Sequence, residues 1–384
     1  MYPTLSEFLK EFGIYIKLPI QSFGLILALS FFAAAWCLYL ELKRRSDDGI
    51  LKPIPKQEEV NKPITQQDII VSALLGGIMG YKFVYLFLNY SAFSDDPQAF
   101  LLSFEGNVVG GIIGAGIFAY FKYREGQQLK GKKYEIKTVM VYPQQLVPNF
   151  ITIAAVAGLL GAKVFHNLEN LDDFVRNPID ALLSFSGLTF YGGLIVAAFF
   201  MIRYAKKNGI SALHISDASA PALMLAYGIG RLGCQISGDG DWGIDNLAPK
   251  PSWLSWAPDW FWAYKYPHNV NEVGVLIQGC EGKYCYELPN PVFPTPIYET
   301  LAALLLFGIL WSIRKKIKTP GLLFSIYLIF NGMERFFIEK IRVNTVYHIG
   351  SFEITQAEII STVLFLVGSF GVIYFSLKNK NAKV

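Results

Sequence analysis

One arginine stands near the end of a long apolar run and is followed at once by a glycine-rich turn with two carboxylates, in Tyr227-Gly-Ile-Gly-Arg-Leu-Gly-Cys-Gln-Ile-Ser-Gly-Asp-Gly-Asp-Trp-Gly243. A charge at membrane depth is costly unless it meets a counter-ion, a polar cavity or a ligand, so Arg231 marks a candidate anion site. Gly228, Gly230, Gly233, Gly238, Gly240 and Gly243 would let backbone come close to a bulky ligand or adopt positive φ. The bland alternative is a helix-packing seam with Arg231 reaching a lipid headgroup. A second set lies in Asn331-Gly-Met-Glu-Arg-Phe-Phe-Ile-Glu-Lys-Ile-Arg342, where Asn331, Arg335, Glu339 and Arg342 fall at i, i+4, i+8 and i+11 on one helical face. Two arginines with a glutamate between them can bind a phosphate, the glutamate orienting one guanidinium. A self-satisfied ion-pair ladder is the competing explanation, and it is preferred for Glu334 and Lys340, which lie off the stripe.

These residues need apolar elements to hold them. The chain of 384 residues is 53% hydrophobic, 15% aromatic and only 17% charged, with mean hydropathy +0.35. That is too apolar for an ordinary soluble chain of this length. Apolar runs long enough or nearly long enough to cross a bilayer lie near Ile20–Leu40, Ile69–Leu88, Val108–Phe121, Phe150–Phe165, Leu188–Tyr204, Leu213–Leu232, Ile297–Ile313, Leu322–Phe337 and Ala357–Phe375. The expectation is an all-α, polytopic membrane helical bundle of about nine spans, one integral membrane domain over residues 1–384.

Basic residues collect in cytoplasmic loops, and 22 of the 34 lysines and arginines fall in alternate segments if the N-terminus is outside and the C-terminus inside. The formal charge of +4 therefore reports topology and not nucleic-acid binding. Lys43-Arg44-Arg45 follows the first run without a small-residue cleavage site, so that run reads as an anchor. Cys280 and Cys285 fall in the outside segment 241–294, where an oxidising compartment allows a bridge, while Cys37 and Cys234 read as packing residues. Trp253, Trp256, Trp260 and Trp262 in that segment suit either an aromatic belt or a small lid.

The chain also repeats itself. Gly76-Gly-Ile-Met-Gly-Tyr-Lys-Phe matches Ala157-Gly-Leu-Leu-Gly-Ala-Lys-Val, Pro97 matches Pro178, and Leu101–Gly106 matches Leu182–Gly187. After a one-residue shift Gly110-Gly111 lies over Gly192-Gly193. Residues 69–122 thus read as an extra helical pair resembling 150–204. Repeated helical pairs are common in transporters, so a transporter of an anionic solute is the second function class. It would expose polar groups to both sides, whereas here Lys163, His166, Tyr191, Arg231, Asp239, Asp241, Tyr298, Glu299, Asn331, Arg335, Glu339 and Arg342 crowd the outer half. No Cys or His pair has metal-ligand spacing, and neither a phosphate loop nor a nucleophile elbow is present. No metal and no cofactor is expected. His166 is the one histidine deep enough to act as a buried base.

Four blocks in order resemble the bacterial prolipoprotein diacylglyceryl transferases. Gly230-Arg231-Leu-Gly233-Cys-Gln-Ile-Ser-Gly238-Asp239 resembles that family's Gly-Arg-x-Gly-Asn-Phe-Ile-Asn-Gly-Glu signature. Phe190-Tyr191-Gly-Gly-Leu-Ile195 resembles its Phe-His-Gly-Gly-Leu-Ile, Pro294-Thr-Pro-Ile-Tyr298-Glu299 its Pro-Ser-Gln-Leu-Tyr-Glu, and Gly332-Met-Glu-Arg335-Phe-Phe-Ile-Glu339-Lys-Ile-Arg342 its Gly-x-x-Arg-x-x-x-Glu-x-x-Arg. The resemblance implies transfer of the diacylglyceryl group of phosphatidylglycerol to the lipobox cysteine of a secreted preprotein at the outer face of the bacterial inner membrane, with glycerol phosphate leaving. That chemistry needs a cationic site for the lipid phosphate, a base that yields the thiolate, and a lateral opening for lipid.

Carried over block by block, the resemblance sets Arg231, Gly233, Gly243, Tyr298 and Arg342 at the lipid headgroup. It sets Arg335, Glu339 and an acidic residue, Asp239 or its rival Asp241, at the reacting atoms. The chain departs from the pattern where Tyr191 replaces a histidine and Cys234 an asparagine. His166 stands one span earlier, where the family often has tyrosine. This suggests an exchange, His166 accepting the proton and Tyr191 hydrogen-bonding to it. The substrate brings the cysteine, so Cys234 need not react.

Overall fold

The computed structural model describes residues 1–95, 97–183, 189–343, 346–349 and 352–381. Leu188, which opens the fifth expected span, the Ser184–Gly187 part of the second repeat, and Lys383 of the basic C-terminal group lie outside the described residues. Among the described residues nine helices reach 18 residues or more. They are α1 (Ser22–Asp47), α2 (Gln66–Leu88), α3 (Val108–Leu129), α4 (Val147–Glu169), α5 (Phe190–Lys207), α6 (Ala212–Ser237), α7 (Thr295–Ile313), α8 (Leu322–Glu339) and α9 (Gln356–Asn381). Each overlaps one of the nine apolar runs. Among the described residues five segments are long and apolar enough to cross a membrane: α1, α2, Pro143–Glu169, α7 and Gln356–Lys378. The molecule is thus a helical membrane protein, with lipid-type side chains such as Ile70, Leu74 and Ile78 on its exposed helical faces.

The chain divides into two compact units. One comprises Met1–Ile14, Ile20–Lys52 and Tyr142–Val384; the other comprises Tyr15–Pro19 and Pro53–Val141. The added helical pair therefore forms a unit of its own within what the sequence suggests is one domain. Its base is a two-stranded antiparallel ribbon, Ile54–Val60 against Glu135–Val141, which brings the ends of the insertion together. Within it, α2 and α3 pack through small residues: a Cβ on Gly80 would lie 2.2 Å from the Gly110 carbonyl oxygen, and one on Gly114 equally close to that of Gly76. Without a hydrophobic drive between helices in lipid, such backbone proximity is what holds a pair. Thr65 and Asp68 close a capping box at the start of α2, and Asn107 caps α3 by accepting from Gly110 N.

The repeat is also structural. In the first copy α2 is followed by short helices Tyr90–Asp95 and Pro97–Leu102 and then α3; in the second α4 is followed by Leu171–Arg176 and Pro178–Leu183 and then α5. Asn107 N donates to the Tyr81 carbonyl in one, Thr189 N to the Ala162 carbonyl in the other. Gly161, Gly192 and Gly193 form the seam of α4 with α5. Lys82 donates to the carbonyls of Phe100 (2.9 Å) and Ser103 (2.5 Å), tying the short helix to its span. Its counterpart Lys163 is buried in α4.

In the larger unit α6 is central, packing on α1, α7 and α8. A core of Ala220, Met224, Ala303, Leu310 and Leu323 joins α6, α7 and α8. Asp217 reaches from α6 to accept from Gly321 N (2.8 Å) and Phe324 N (2.9 Å), capping α8 from a neighbouring helix. Residues 238–294 form a cap held by an inner cluster of Tyr266, Leu288 and Val292 and by the Cys280–Cys285 disulfide, a bridge the sequence allows but leaves open.

Candidate active site

Three helices converge on one carboxylate. Glu299, in the first turns of α7, has a fully buried side chain, and arginines from α6, from α8 and from three residues past the end of α8 surround it. Arg231 Nη2 donates to Glu299 Oε1 at 2.6 Å, Arg342 Nη1 to the same oxygen at 3.1 Å, and Arg335 Nη1 lies 3.6 Å from Oε2. Tyr227, one helical turn before Arg231, donates to Glu299 Oε2 at 2.5 Å and lies 3.4 Å from Glu334 Oε1. Arg335 Nη2 also lies 3.4 Å from Glu339, whose carboxylate accepts from Thr355 Oγ1 at 2.7 Å. Burying this much charge is tolerable only because the ions pair and hydrogen-bond to one another.

The turn after α6 closes the cluster from above. Gly238 and Gly240 have φ of +64° and +98°, conformations that a side chain disfavours, and they fold the chain back over Arg231. Asp241 then bonds Arg231 Nη1 through Oδ2 and Arg342 Nη2 through Oδ1, the latter at 2.6 Å. Burial alone would raise the Asp241 carboxyl, but the two guanidinium groups outweigh it and hold it at about 2. Asp239 touches neither arginine; burial and the neighbouring Asp241 push its carboxyl upward. The two rivals are thus chemically distinct, and Asp241 is the one joined to the arginines. Cys234, Asp239 and Asp241 bring three donor atoms within 4.8 Å, yet both oxygens of Asp241 already neutralise arginines, which leaves a weak donor set for a cation.

The remaining sequence candidates separate. Gly243 forms a β-bridge with Arg342, and a Cβ there would lie 2.4 Å from the Ile341 carbonyl oxygen, so it lets the loop carrying Asp241 lie against Arg342. Gly233 faces Phe23 and Ile26, a contact between α6 and α1 and not a ligand surface. Tyr298 donates to the Phe261 carbonyl at 2.6 Å, fastening the cap to α7. Tyr191, at the start of α5, lies in the electrostatic field of Arg335, Glu339 and Arg342. His166 faces its own helix end instead, its Nδ1 3.3 Å from Asn170 Nδ2. Among the described residues no hydrogen bond joins His166 to Tyr191. Lys340 pairs with Glu358, the structural role expected for it.

What the sequence underweights is Glu299. It lies in a quoted motif, but a glutamate opening an apolar helix does not reveal that three arginines from elsewhere meet on it. The available signal was charge balance, since three arginines at one membrane level need carboxylates. Two donors, Arg231 Nε and Arg342 Nε, and one acceptor, Glu334 Oε2, are buried in the cluster without a hydrogen-bond partner. Buried donors of this kind are seldom left unused, and a charged acceptor is the natural complement.

Comparison with known proteins gives the family in which this geometry occurs. Residues 128–374 match the model of the prolipoprotein diacylglyceryl transferase family, a stretch that takes in α4 to α8 and every arginine of the cluster and leaves α2 outside. A phosphatidylglycerol–prolipoprotein diacylglyceryl transferase of Corynebacterium glutamicum is 31% identical over 244 residues, covering 61% of this chain and 70% of its own. Proteins of the same name from Leptospira interrogans (27% over 275 residues, 58% and 77% covered) and Staphylococcus haemolyticus (26% over 300 residues, 76% and 90% covered) are also similar. The matched stretch is well over half of the chain and contains the whole ionic cluster, so this protein belongs to the prolipoprotein diacylglyceryl transferase family.

Proposed function

We propose that the cluster around Glu299 is where this transferase holds the phosphate of phosphatidylglycerol while a preprotein cysteine attacks the adjoining glyceryl carbon. The observation that carries this is the pair of unpartnered donors, Arg231 Nε and Arg342 Nε, on two of the three arginines that meet at Glu299. The sulfur–carbon bond forms as the carbon–oxygen bond to phosphate breaks, so negative charge grows on the departing glycerol phosphate. Arg231, Arg335 and Arg342 are set to stabilise it, with Glu299, Asp241 and Glu339 fixing their planes. Tyr191, a neutral phenol at the start of α5, can donate a hydrogen bond to the charge that develops on the phosphate, while the thiol proton leaves with the departing glycerol phosphate; His166 is left a positioning role at the end of α4.

The nine long helices serve as nine crossings with the N-terminus outside and the C-terminus inside, which puts the cap, the disulfide and the arginine cluster outside the cell membrane. The basic groups at the opposite helix ends support that orientation. Against an anionic-solute transporter stand the family match and the one-sided polar cluster. The test is transfer from phosphatidylglycerol vesicles to a lipobox peptide, read as a mass gain on its cysteine. Wild type is expected to modify the peptide and a serine peptide to stay unmodified; no gain with the cysteine peptide contradicts the assignment.

A further inference from the structure

Glu334 belongs to the Glu299 cluster, yet no arginine holds it. The sequence suggests an ion-pair ladder for this residue, but among the described residues no lysine or arginine forms an ion pair with its carboxyl group. Its Oε1 lies 3.4 Å from the Tyr227 hydroxyl, which has one hydrogen and gives it to Glu299 at 2.5 Å. Its Oε2 is buried with no hydrogen-bond partner. A buried acceptor left in this way costs free energy, and a ligand that brings a hydrogen removes that cost. Tyr227 links Glu334 to Glu299, the carboxylate on which Arg231 and Arg342 meet, so the open acceptor and the two open donors hang on one network.

The open groups are thus of two kinds, guanidinium donors on Arg231 and Arg342 and a carboxyl acceptor on Glu334. The headgroup of phosphatidylglycerol divides in the same way. Its phosphodiester brings oxygens that only accept, and its second glycerol brings two hydroxyls that donate. We propose that Glu334 accepts a hydrogen bond from a hydroxyl of that glycerol and so selects phosphatidylglycerol over phospholipids of equal charge that lack the hydroxyls. The proposal rests on the functional reading above, which sets the phosphate at the arginines. An ammonium headgroup fits less well, because it would enter among three guanidinium groups. In the Gly-x-x-Arg pattern Glu334 occupies an unspecified position, so the contact is a property of this chain's own residue.

The test uses the full protein in vesicles with a lipobox peptide and one of two donor lipids. These are phosphatidylglycerol and phosphatidylpropanol, with the same acyl chains and charge and a propyl group in place of the second glycerol. Wild type is expected to prefer phosphatidylglycerol by at least about tenfold in kcat/KM, mainly through the lipid KM, because a site that pairs a substrate hydroxyl rejects the analogue without it. Glu334→Leu should bring the ratio close to one by losing activity on phosphatidylglycerol alone, and its rate on phosphatidylpropanol reports that the fold is kept. Glu334→Gln keeps a carbonyl acceptor and should retain most of the preference. A leucine variant that loses equally on both lipids has a structural defect or a missing water, and this overturns the proposal. A glutamine variant without preference, or a wild type that uses the two lipids alike or takes phosphatidylethanolamine as readily, overturns it too. A wild type that modifies no peptide from any lipid contradicts the functional reading itself.

Discussion

Two buried glutamates in this protein each gather three arginines, at opposite ends of the helices. Glu41 on α1 meets Arg44 and Arg45 of its own helix and Arg314 just after α7; Glu299 meets Arg231, Arg335 and Arg342 from separate elements. Both glutamate side chains are fully buried. At Glu41 the arrangement is closed: Arg44 also pairs with Asp48, Arg45 reaches His214, Arg314 stacks on Trp311, and no buried nitrogen of the three lacks a partner among the described residues. At Glu299 two guanidinium Nε donors are open. The same residue types thus make a structural tie in one place and an anion site in the other, and what separates them is whether every donor is spent. Local spacing explains the difference, since i,i+3 and i,i+4 pairs on one helix satisfy one another, while arginines from different helices are aimed by tertiary structure.

The sharpest way to break the comparison is to remove each hub. Glu299→Ala and Glu41→Ala should both destabilise by about 3–5 kcal/mol, the cost of orphaning buried charge. Glu299→Ala should in addition lower transfer per folded molecule by about a thousandfold, whereas Glu41→Ala should leave it within about threefold, checked by denaturation and peptide transfer on the same samples. Equal losses of transfer would erase the distinction. A smaller effect is expected at the α4/α5 pair: Tyr191→Phe should cost about a hundredfold in kcat/KM, the loss of one donor to the developing negative charge, and His166→Ala clearly less. The reverse order would return the base to His166.

Smaller again is the difference between the two aspartates. Asp241→Asn should cost transfer about tenfold, through loss of a charge-assisted bond to each of two arginines, and Asp239→Asn less. Acid unfolding tests the same pair with opposite signs. The Asp241 carboxyl, held at about 2 against 3.8 in a free side chain, gives stability that is present above pH 3.8 and lost as pH falls through about 2. The raised Asp239 carboxyl binds its proton more tightly in the folded state, so protonation there stabilises. Asp241→Asn should therefore flatten the fall in stability between pH 4 and about 2, whereas Asp239→Asn should remove a gain in stability that builds up above that window, as pH falls toward 3.8.

Much of this was legible in the sequence where the signal is local. Runs of apolar residues mark each long helix, the 81-residue offset marks the duplicated pair, and Cys280 with Cys285 marks the bridge. Arg342, expected on the same helical face as Arg335 and Glu339, instead lies three residues past the end of α8 and bridges Gly243, whereas the Arg335–Glu339 pair is a one-helix property and was readable as such. Glu299 was not, because its meaning lies in which helices converge on it. The glycines were read uniformly, yet Gly238 and Gly240 need positive φ, Gly243 needs close approach, and Gly233 simply packs on α1. The ribbon closing the insertion escaped notice since Ile54-Pro-Lys-Gln-Glu-Glu-Val60 has no alternation and pairs with a strand about eighty residues away.

The central claim is that the open donors of the Glu299 cluster, and not its charge alone, hold the lipid phosphate. The direct measurement is initial-rate transfer from phosphatidylglycerol vesicles to a lipobox peptide for wild type, Arg231→Ala, Arg231→Lys and, at the closed cluster, Arg44→Ala. Arg231→Ala is expected to lose about 10² to 10³ in rate. Lysine should restore little, since it keeps the charge but lacks the planar fork, and Arg44→Ala should stay near wild type. An Arg231→Ala enzyme as fast as wild type, or full rescue by lysine, would contradict the account.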